Sequence, residues 1–309
     1  MSDSAVSPLI SIIIRSMDRA TLQETLDSVS NQTHRPIEII MVNAKGGAHQ
    51  SEQDKGGAFS FRVVNQGGLP LSRAEAANAG LDVARGQYIA FLDDDDTLDP
   101  DHLSHLLPLM QTSETATVAY AGVRCVDRSD PDLKITRIFG EPLHSFAQLL
   151  AGNFIPIHAP LFPSQLRQQA RYDETLEAYE DWDFWLQLAQ SATFVYSHSV
   201  TATYFTGGTS GVSPQAPDWE AVRRASRNLY AKWMRIKPDE FRNISNLYHE
   251  ATAKLKSSQE EVARLQLSLA QSQIAAEHMQ PKLDYTSFIG TLCRLLRQLK
   301  TFANQLFNR

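Results

Sequence analysis

A short apolar run that ends in four consecutive acids constrains this chain more than any other feature. Tyr88-Ile89-Ala90-Phe91-Leu92 follows Gly86 and Gln87 and leads directly into Asp93-Asp94-Asp95-Asp96. An apolar run without alternation reads as a strand buried on both faces, inside a parallel sheet covered by helices. Ligands bind such sheets outside the carboxyl ends of the strands, which is where the acids stand. Adjacent anions repel. Two unit charges about 4 Å apart cost ~1 kcal/mol in water and ~4 kcal/mol near a protein surface. A hard divalent cation, Mg²⁺ or Mn²⁺, reverses that repulsion and brings phosphate oxygens with it, so Asp93 to Asp95 reads as a metal-diphosphate site. Asp99-Pro100-Asp101 is spaced as a helix N-cap with proline at the first helical position, and Asp99 is assigned to that role. An EF-hand beginning at Asp93 fails, because Leu98 and Ser104 stand where glycine and glutamate are required.

The rest of the first half supplies the other layers of an α/β fold. Leu9 to Ile14 is a β-rich run, Asp18 is a candidate cap for a helix with Leu22, Leu26 and Val29 on one face, and Ile37 to Val42 is a second strand. Asn43 to Gly57 is polar and glycine-bearing and reads as a long loop. Phe61 to Val64 is a third strand, and Leu71 to Arg85 an alanine-rich helix. The β-α-β-β-α-β order requires mostly parallel strands. No GxGxxG follows the first strand, which argues against a dinucleotide-binding site.

Beyond the acids, Pro100 to Met110 reads as a helix, Thr117 to Val126 and Leu133 to Phe139 as pairing strands, and Ser145 to Ala151 as a short helix. Phe154 to Phe162 is apolar and broken by proline. Thr193 to Tyr196 and Val200 to Phe205 read as two strands, Gly207 to Gly211 as a loop, and Asp218 to Met234 as a helix with Val222, Ala225, Leu229 and Trp233 on one face. Between Phe162 and Thr193 lies a second acidic motif, Tyr179-Glu180-Asp181-Trp182-Asp183-Phe184-Trp185. Acids in a first helical turn favour the helix dipole by ~0.3–1 kcal/mol, which suffices for Asp183. A tryptophan-rich setting can also raise a carboxylate's pKa by desolvation.

The ordered set Ser11 to Arg19, Leu26 to Thr33, Ile37 to Ile40, Ala77-Asn78-Ala79-Gly80-Leu81 and Phe91 to Asp96 resembles family 2 glycosyltransferases of the GT-A fold over roughly residues 8 to 210. The resemblance implies a Rossmann-like, mostly parallel sheet flanked by helices. It implies a metal-dependent, inverting transfer from a nucleoside-diphosphate sugar to a hydroxyl of a glycan or lipid-linked acceptor. Asp181 would be the general base, and Glu180 would orient the base or the acceptor. Asp95, with Asp93 directly or through water, would hold Mg²⁺ or Mn²⁺ against the leaving diphosphate, and Asp94 would meet the ribose. Asn43 stands near where the family usually has a base-reading acid and can both donate and accept hydrogen bonds. Arg15, in the altered turn Arg15-Ser16-Met17-Asp18, and Arg73 complete the expected nucleotide-sugar contacts. His158 and Trp182 fall in the acceptor region, although a buried structural histidine is the safer reading of His158. His102 and His105 share a helix face and read as solvated.

The chain has 309 residues, 42% hydrophobic and 21% charged, with a net charge of −6. That is room for a large domain plus a smaller part, and the charge argues against a general nucleic-acid binder. The N-terminus lacks the pattern of a signal peptide, and no stretch approaches the roughly 20 apolar residues of a membrane span. Cys125 and Cys293 are isolated and read as reduced thiols of a cytoplasmic protein. The expected division is a catalytic domain over 1–240, a helical or coiled-coil segment over 241–280 and a basic amphipathic helix over 281–309. Tyr248, Ala251, Leu255, Ser258, Val262, Leu265 and Leu269 follow a heptad, which suits a homo-oligomer through the tail or a solvated helix. Phe288, Leu292, Leu295 and Leu299 accompany Arg294, Arg297 and Lys300, which suits peripheral contact at the inner face of a membrane or packing on a partner. Two other readings compete. A nucleotidyltransferase lacks its phosphate loop here, and a degenerate transferase serving as a scaffold through its tail is opposed by retention of both acidic motifs.

Overall fold

The computed structural model describes residues 7–49, 60–111, 116–207 and 219–278. Its first half is the parallel sheet that the sequence predicts. Strands β1 (Ile10–Ser16), β2 (Ile37–Asn43), β3 (Ser60–Val64) and β4 (Tyr88–Asp93) pair in the order β3-β2-β1-β4, all parallel. Helix α1 (Leu22–Ser30) joins β1 to β2, and α2 (Arg73–Val83) joins β3 to β4. β1 lies in the middle of this half. Ile10, Ile12, Ile13 and Ile14 are completely enclosed, each contributing about 1.5–3 kcal/mol by leaving water.

Close packing fixes how β4 enters the sheet. A Cβ on Gly80 of α2 would lie 2.3 Å from Ile13 Cγ2, so only glycine lets the helix approach β1 this closely. A capping box between Ser72 and Glu75 starts that helix. At its far end the buried Glu38 carboxylate accepts the backbone N–H groups of Arg85 and Gly86, and the Ser11 hydroxyl. That web pins the turn that leads into β4 and satisfies an acid that burial would otherwise penalise.

After the acids come β5 (Thr97–Leu98), α3 (His102–Leu106), β6 (Thr117–Asp127), β7 (Ile135–Phe139) and α4 (Phe146–Ala151). Strand β8 (Pro160–Pro163), helix α5 (Glu180–Leu188), β9 (Thr193–Thr206) and helix α6 (Trp219–Ile236) follow. The proline-broken apolar segment yields β8, which runs antiparallel to both β4 and β6 and joins the two halves of the sheet. The two strands expected at 193–196 and 200–205 are one, because β6 pairs along the whole of β9 and absorbs the interruption as a register shift around Gly122. Phe184 of α5 stacks on Tyr172 at 4.3 Å and meets Phe162 at 5.7 Å and Phe91 at 6.3 Å edge-on. This aromatic cluster fixes α5 against β4 and β8.

Several local expectations are corrected. Asp18 does not cap α1: its backbone is left-handed (φ 61°), Thr21 takes the cap position, and the Asp18 carboxylate receives Lys45 Nζ at 2.8 Å. Asp99 does not cap α3. Both its oxygens receive Arg124, at 2.8 and 2.7 Å, a bidentate ion pair stronger than a single cap bond. The helix expected to run to Met110 tightens to a 3-10 turn from Leu107, where Pro108 lacks the N–H to continue it. His102 is enclosed, its Nδ1 2.8 Å from the Thr201 hydroxyl, whereas His105 is exposed. Asp183 does far more than serve a helix dipole. It accepts hydrogen bonds from Gln187 (2.7 Å), Lys232 (2.8 Å) and Trp233 (2.8 Å), and so docks α6 on α5.

The chain divides into compact units Met1–Ser245 and Asn246–Arg309. Helix α7 (Pro238–His278) has 41 residues. Its Leu255 and Val262, two of the heptad positions, are 58% and 38% exposed. No helix among the described residues is long and apolar enough to cross a membrane. Cys125 is buried and unpaired. Cys293, the basic amphipathic helix of 281–309 and most of the loops expected at 43–57 and 207–211 lie outside the described residues.

Candidate active site

The register of β1 on β4 places Arg15 directly beside Asp93. Arg15 Nε and Nη2 donate to the two oxygens of Asp93 at 2.7 and 2.8 Å, and its Nη1 donates to Glu180 Oε1 at 3.0 Å. Arg73, in the first turn of α2, reaches the same Glu180 oxygen at 3.3 Å. The first acidic motif, on β4, and the second, on α5, therefore meet at the carboxyl ends of β1 and β4 with a buried guanidinium between them.

The four acids have separate environments. Asp93 is one-quarter exposed, and Arg15 beside it holds its carboxyl below the usual range despite burial. Asp94 points the other way and is fully enclosed. It accepts the Ser16 hydroxyl at 2.8 Å, the Met17 N–H at 2.7 Å, the Arg19 N–H at 3.3 Å and the Arg19 guanidinium. Its job is to hold the turn between β1 and α1. Asp95 is the most open of the four, at 30%, with Arg19 Nε 3.6 Å away. Burial, followed by the charge of Asp93, pushes its carboxyl up to about 6. Asp96 is enclosed, accepts the Phe205 N–H at 2.9 Å and is driven well above the ordinary value by burial.

Asp181 begins α5. Its Oδ1 accepts the Trp182 N–H at 2.7 Å and its Oδ2 the Asn153 amide at 3.3 Å. Burial and then the neighbouring charge of Glu180 raise its carboxyl to about 6, while Arg15 and Arg73 pull it back. Asn78 sets the approach to this motif. Its side-chain amide bonds the Tyr172 carbonyl at 2.9 Å and Glu174 at 2.8 Å, and its oxygen accepts the Tyr172 N–H at 3.0 Å, tying the segment before α5 to α2.

Residues 11–175 match the sequence model of Glycosyl transferase family 2, which is more than half of the chain. The chain belongs to glycosyl transferase family 2. It is 27% identical over 212 residues to an uncharacterized glycosyltransferase of Rickettsia prowazekii, a match covering 65% of this chain and 64% of the relative. It is 33% identical over 107 residues to the putative glycosyltransferase EpsH of Bacillus subtilis, covering 33% of this chain and 30% of that one. The chain therefore aligns with less than two thirds of the length of these relatives. Among solved structures, S. aureus TarS 1–349 in complex with UDP-GlcNAc superposes with a TM-score of 0.55 at 14% identity, covering 73% of this chain and 66% of TarS. The same TarS region in complex with UDP gives 0.52 at 15% identity, covering 73% and 65%. These likenesses carry the fold, which is the GT-A architecture expected from the sequence.

Against that family pattern, four expected residues stand elsewhere. Asp94 is enclosed and already accepts four hydrogen bonds from the turn after β1. Asn43 is enclosed, its amide donating to the Gly47 carbonyl at 2.8 Å and its oxygen accepting the Gly46 N–H at 3.0 Å, so it shapes the loop after β2. His158 is 1% exposed beneath the acid run. Its Nδ1 lies 3.3 Å from Asp96, yet neither ring nitrogen has a hydrogen-bond alignment, and burial pulls its pKa down to about 4. Trp182 is buried with its indole N–H on the Leu149 carbonyl at 2.6 Å, while Tyr179, edge-on to it, is the part-exposed aromatic.

Two arginines with no assigned role in the sequence reading flank Asp95. Arg19 ends the Ser11 to Arg19 stretch that carries the family resemblance. Arg128 carried no signal in the sequence: it reaches the Asp95 carbonyl at 3.2 Å and Glu24 at 2.9 Å, and its guanidinium lies 3.7 Å from the centre of the Phe205 ring. Asn153 likewise had no signal. For a divalent cation, the described residues contain no cluster of three His, Cys, Asp or Glu side chains. Mg²⁺ at phosphate sites needs only one or two carboxylates, with water and substrate oxygens completing the shell. Asp95 fits that role: its carboxyl is 30% open, and the charges of Asp93 and Asp94 add to burial in disfavouring a bare anion there. Asp93, with both oxygens already on Arg15, is the weaker of the two.

Proposed function

We propose that this chain transfers a sugar from a nucleoside-diphosphate sugar to an acceptor hydroxyl with inversion, using Asp181 as the general base. The observation that carries the reading is Asp181 itself. It is a part-exposed carboxylate raised to about 6, beside the Glu180 that Arg15 links to the donor-side Asp93, with Oδ1 on the Trp182 N–H and Oδ2 held by a 3.3 Å bond from Asn153. A base poised near the working pH accepts a proton in the transition state most effectively. Asp181 would take the proton from the acceptor hydroxyl as that oxygen attacks the anomeric carbon. Glu180, locked between Arg15 and Arg73, would set the position of α5 and tune the base through its charge.

On the donor side, Arg19 and Arg128 supply positive charge beside Asp95, where the diphosphate would lie, and Phe205 keeps the Arg128 guanidinium in place. Mg²⁺ or Mn²⁺ held by Asp95, with Asp93 in support, would neutralise charge developing on the leaving diphosphate. The complexes of TarS with UDP-GlcNAc and UDP make uridine nucleotides the first donors to test. The acceptor would be a glycan or lipid-linked hydroxyl. Tyr179 offers that side an aromatic face, which suits the apolar face of a sugar ring.

Thermal-shift titration with a panel of nucleotide sugars, with and without Mn²⁺, tests the donor half. Stabilisation by at least one nucleotide is expected, larger with metal, and no stabilisation by any of them overturns it. Asp181→Asn should abolish transfer to the acceptor while nucleotide affinity changes less than about twofold. Loss of nucleotide binding in that variant would remove Asp181 from the role of base.

A further inference from the structure

Arg15 is enclosed and serves two carboxylates from distant parts of the chain. Its side chain is 5% exposed, and its planar fork gives Nε and Nη2 to Asp93 at 2.7 and 2.8 Å while Nη1 goes to Glu180 at 3.0 Å. Glu180 is equally enclosed, at 4%. Asp93 closes β4 at the donor side, and Glu180 opens α5 next to the residue that would serve as base. These elements are separated by 87 residues of chain, from 93 to 180. A guanidinium in this setting cannot slide. Moving toward one carboxylate weakens its hold on the other, and both would then be buried with less compensation.

We propose that Arg15 is a positioning residue that couples the donor-side acid Asp93 to the acceptor-side motif Glu180-Asp181, so that nucleotide bound at one is felt at the other. The inference rests on the donor and acceptor sides assigned above. Its physical basis is charge sharing. Whatever draws Asp93 toward a bound nucleotide frees part of the Arg15 charge for Glu180, and tightens the contact that fixes the start of α5. Loss of the Glu180 contact, conversely, leaves Arg15 entirely to Asp93 and lowers the readiness of Asp93 to engage a ligand. Coupling between two sites must be reciprocal, so it can be read from either end. Arg73 reaches Glu180 at 3.3 Å and acts on Asp93 only through its charge, whereas Arg15 donates hydrogen bonds to both and is the direct bridge.

The test measures affinity for UDP with Mn²⁺ by titration calorimetry in the full chain, in Glu180→Gln, in Arg15→Lys and in the double variant. Lysine keeps one charge but lacks the fork that serves two carboxylates at once, and so avoids stranding both. Glu180→Gln should change UDP affinity about fivefold or more when Arg15 is present, and less than about twofold in the Arg15→Lys background. An unchanged affinity in Glu180→Gln, or an equal change in both backgrounds, overturns the coupling. A second measurement does not depend on nucleotide. In urea unfolding, Asp93→Asn and Glu180→Gln should be non-additive with Arg15 and additive with lysine. Additivity in both backgrounds refutes the role of Arg15. Absence of UDP binding by the unaltered chain refutes the uridine donor instead, and the unfolding cycle then decides the coupling alone.

Discussion

Asp183 offers the sharpest stability test in the molecule, because its contribution can be estimated from its contacts. The carboxylate is fully enclosed and accepts from Trp233 Nε1, Lys232 Nζ and Gln187 Nε2 at 2.7–2.8 Å. Asp183→Ala removes all three bonds. Hydrogen bonds to a charged group are each worth about 1.5–3 kcal/mol, and a buried donor left alone costs about 1–3 kcal/mol. Trp233, at 0% exposure, would be such a donor. Lys232 is cushioned, since it keeps Asp173 at 2.7 Å and is 24% exposed. Gln187 keeps its bond to the Arg171 carbonyl at 2.8 Å. Counting the Trp233 bond in full and the other two at a fraction gives a loss of about 3–5 kcal/mol, in the range measured for breaking one side of a buried ion pair. For a domain of this size that lowers Tm by roughly 6–20 °C. Chemical denaturation followed by tryptophan fluorescence and far-UV circular dichroism reads the effect. Asp183→Asn, which keeps an acceptor for Trp233, should fall between Asp183→Ala and the unaltered chain. A loss below about 1 kcal/mol in Asp183→Ala would refute the view that this carboxylate docks α6 on α5.

Other perturbations test the site and the packing around it. Asp181 is raised to about 6 in the folded protein, so transfer should rise with pH through about 6 as the base ionises, with kcat/KM falling about tenfold per unit below that. Because this folded pKa exceeds the ordinary carboxylate value, the same group favours folding below pH 4 and its contribution is lost as pH climbs through 6; a profile with no acid limb near 6 contradicts the assignment. Gly80→Ala gains up to about 1 kcal/mol in helix propensity but drives a methyl onto Ile13, and a net loss of about 1–3 kcal/mol is expected on denaturant unfolding. Leu255→Glu and Val262→Glu should lower the mass seen by sedimentation if the exposed apolar positions of α7 pair with a second copy, and an unchanged mass leaves α7 a solvated helix.

The parallel half of the fold was legible because its signals are local. Uninterrupted apolar runs, the alanine-rich α2 and the acids that end β4 each announce themselves within about ten residues. The junction of the two halves was not legible. Pro160 to Pro163 forms a strand only because β4 and β6 present edges on either side of it, and nothing within those four residues says so. The helix face of Val222, Ala225, Leu229 and Trp233 was readable from its spacing, whereas the buried acid that receives Trp233 was not.

The sequence by itself determined that carboxylates stand where a parallel strand leaves its sheet, and that a second acidic motif opens a later helix. Composition and pattern along a chain are enough to establish both. Tertiary structure alone decided which of those acids are available. Asp93 and Asp94 are adjacent in the chain, but one faces Arg15 and the other is consumed by the turn after β1. Asn43 and His158, plausible ligands by type and place, are enclosed: Asn43 is turned onto the local backbone of Gly46 and Gly47, and His158 is buried beside Asp96, a residue distant in sequence. The reason is that a carboxylate's function follows from its partners and its exposure. Those are set by cross-strand register and by side chains more than 70 residues away, as in the bond from Arg15 to Asp93 and the bond from Arg15 to Glu180.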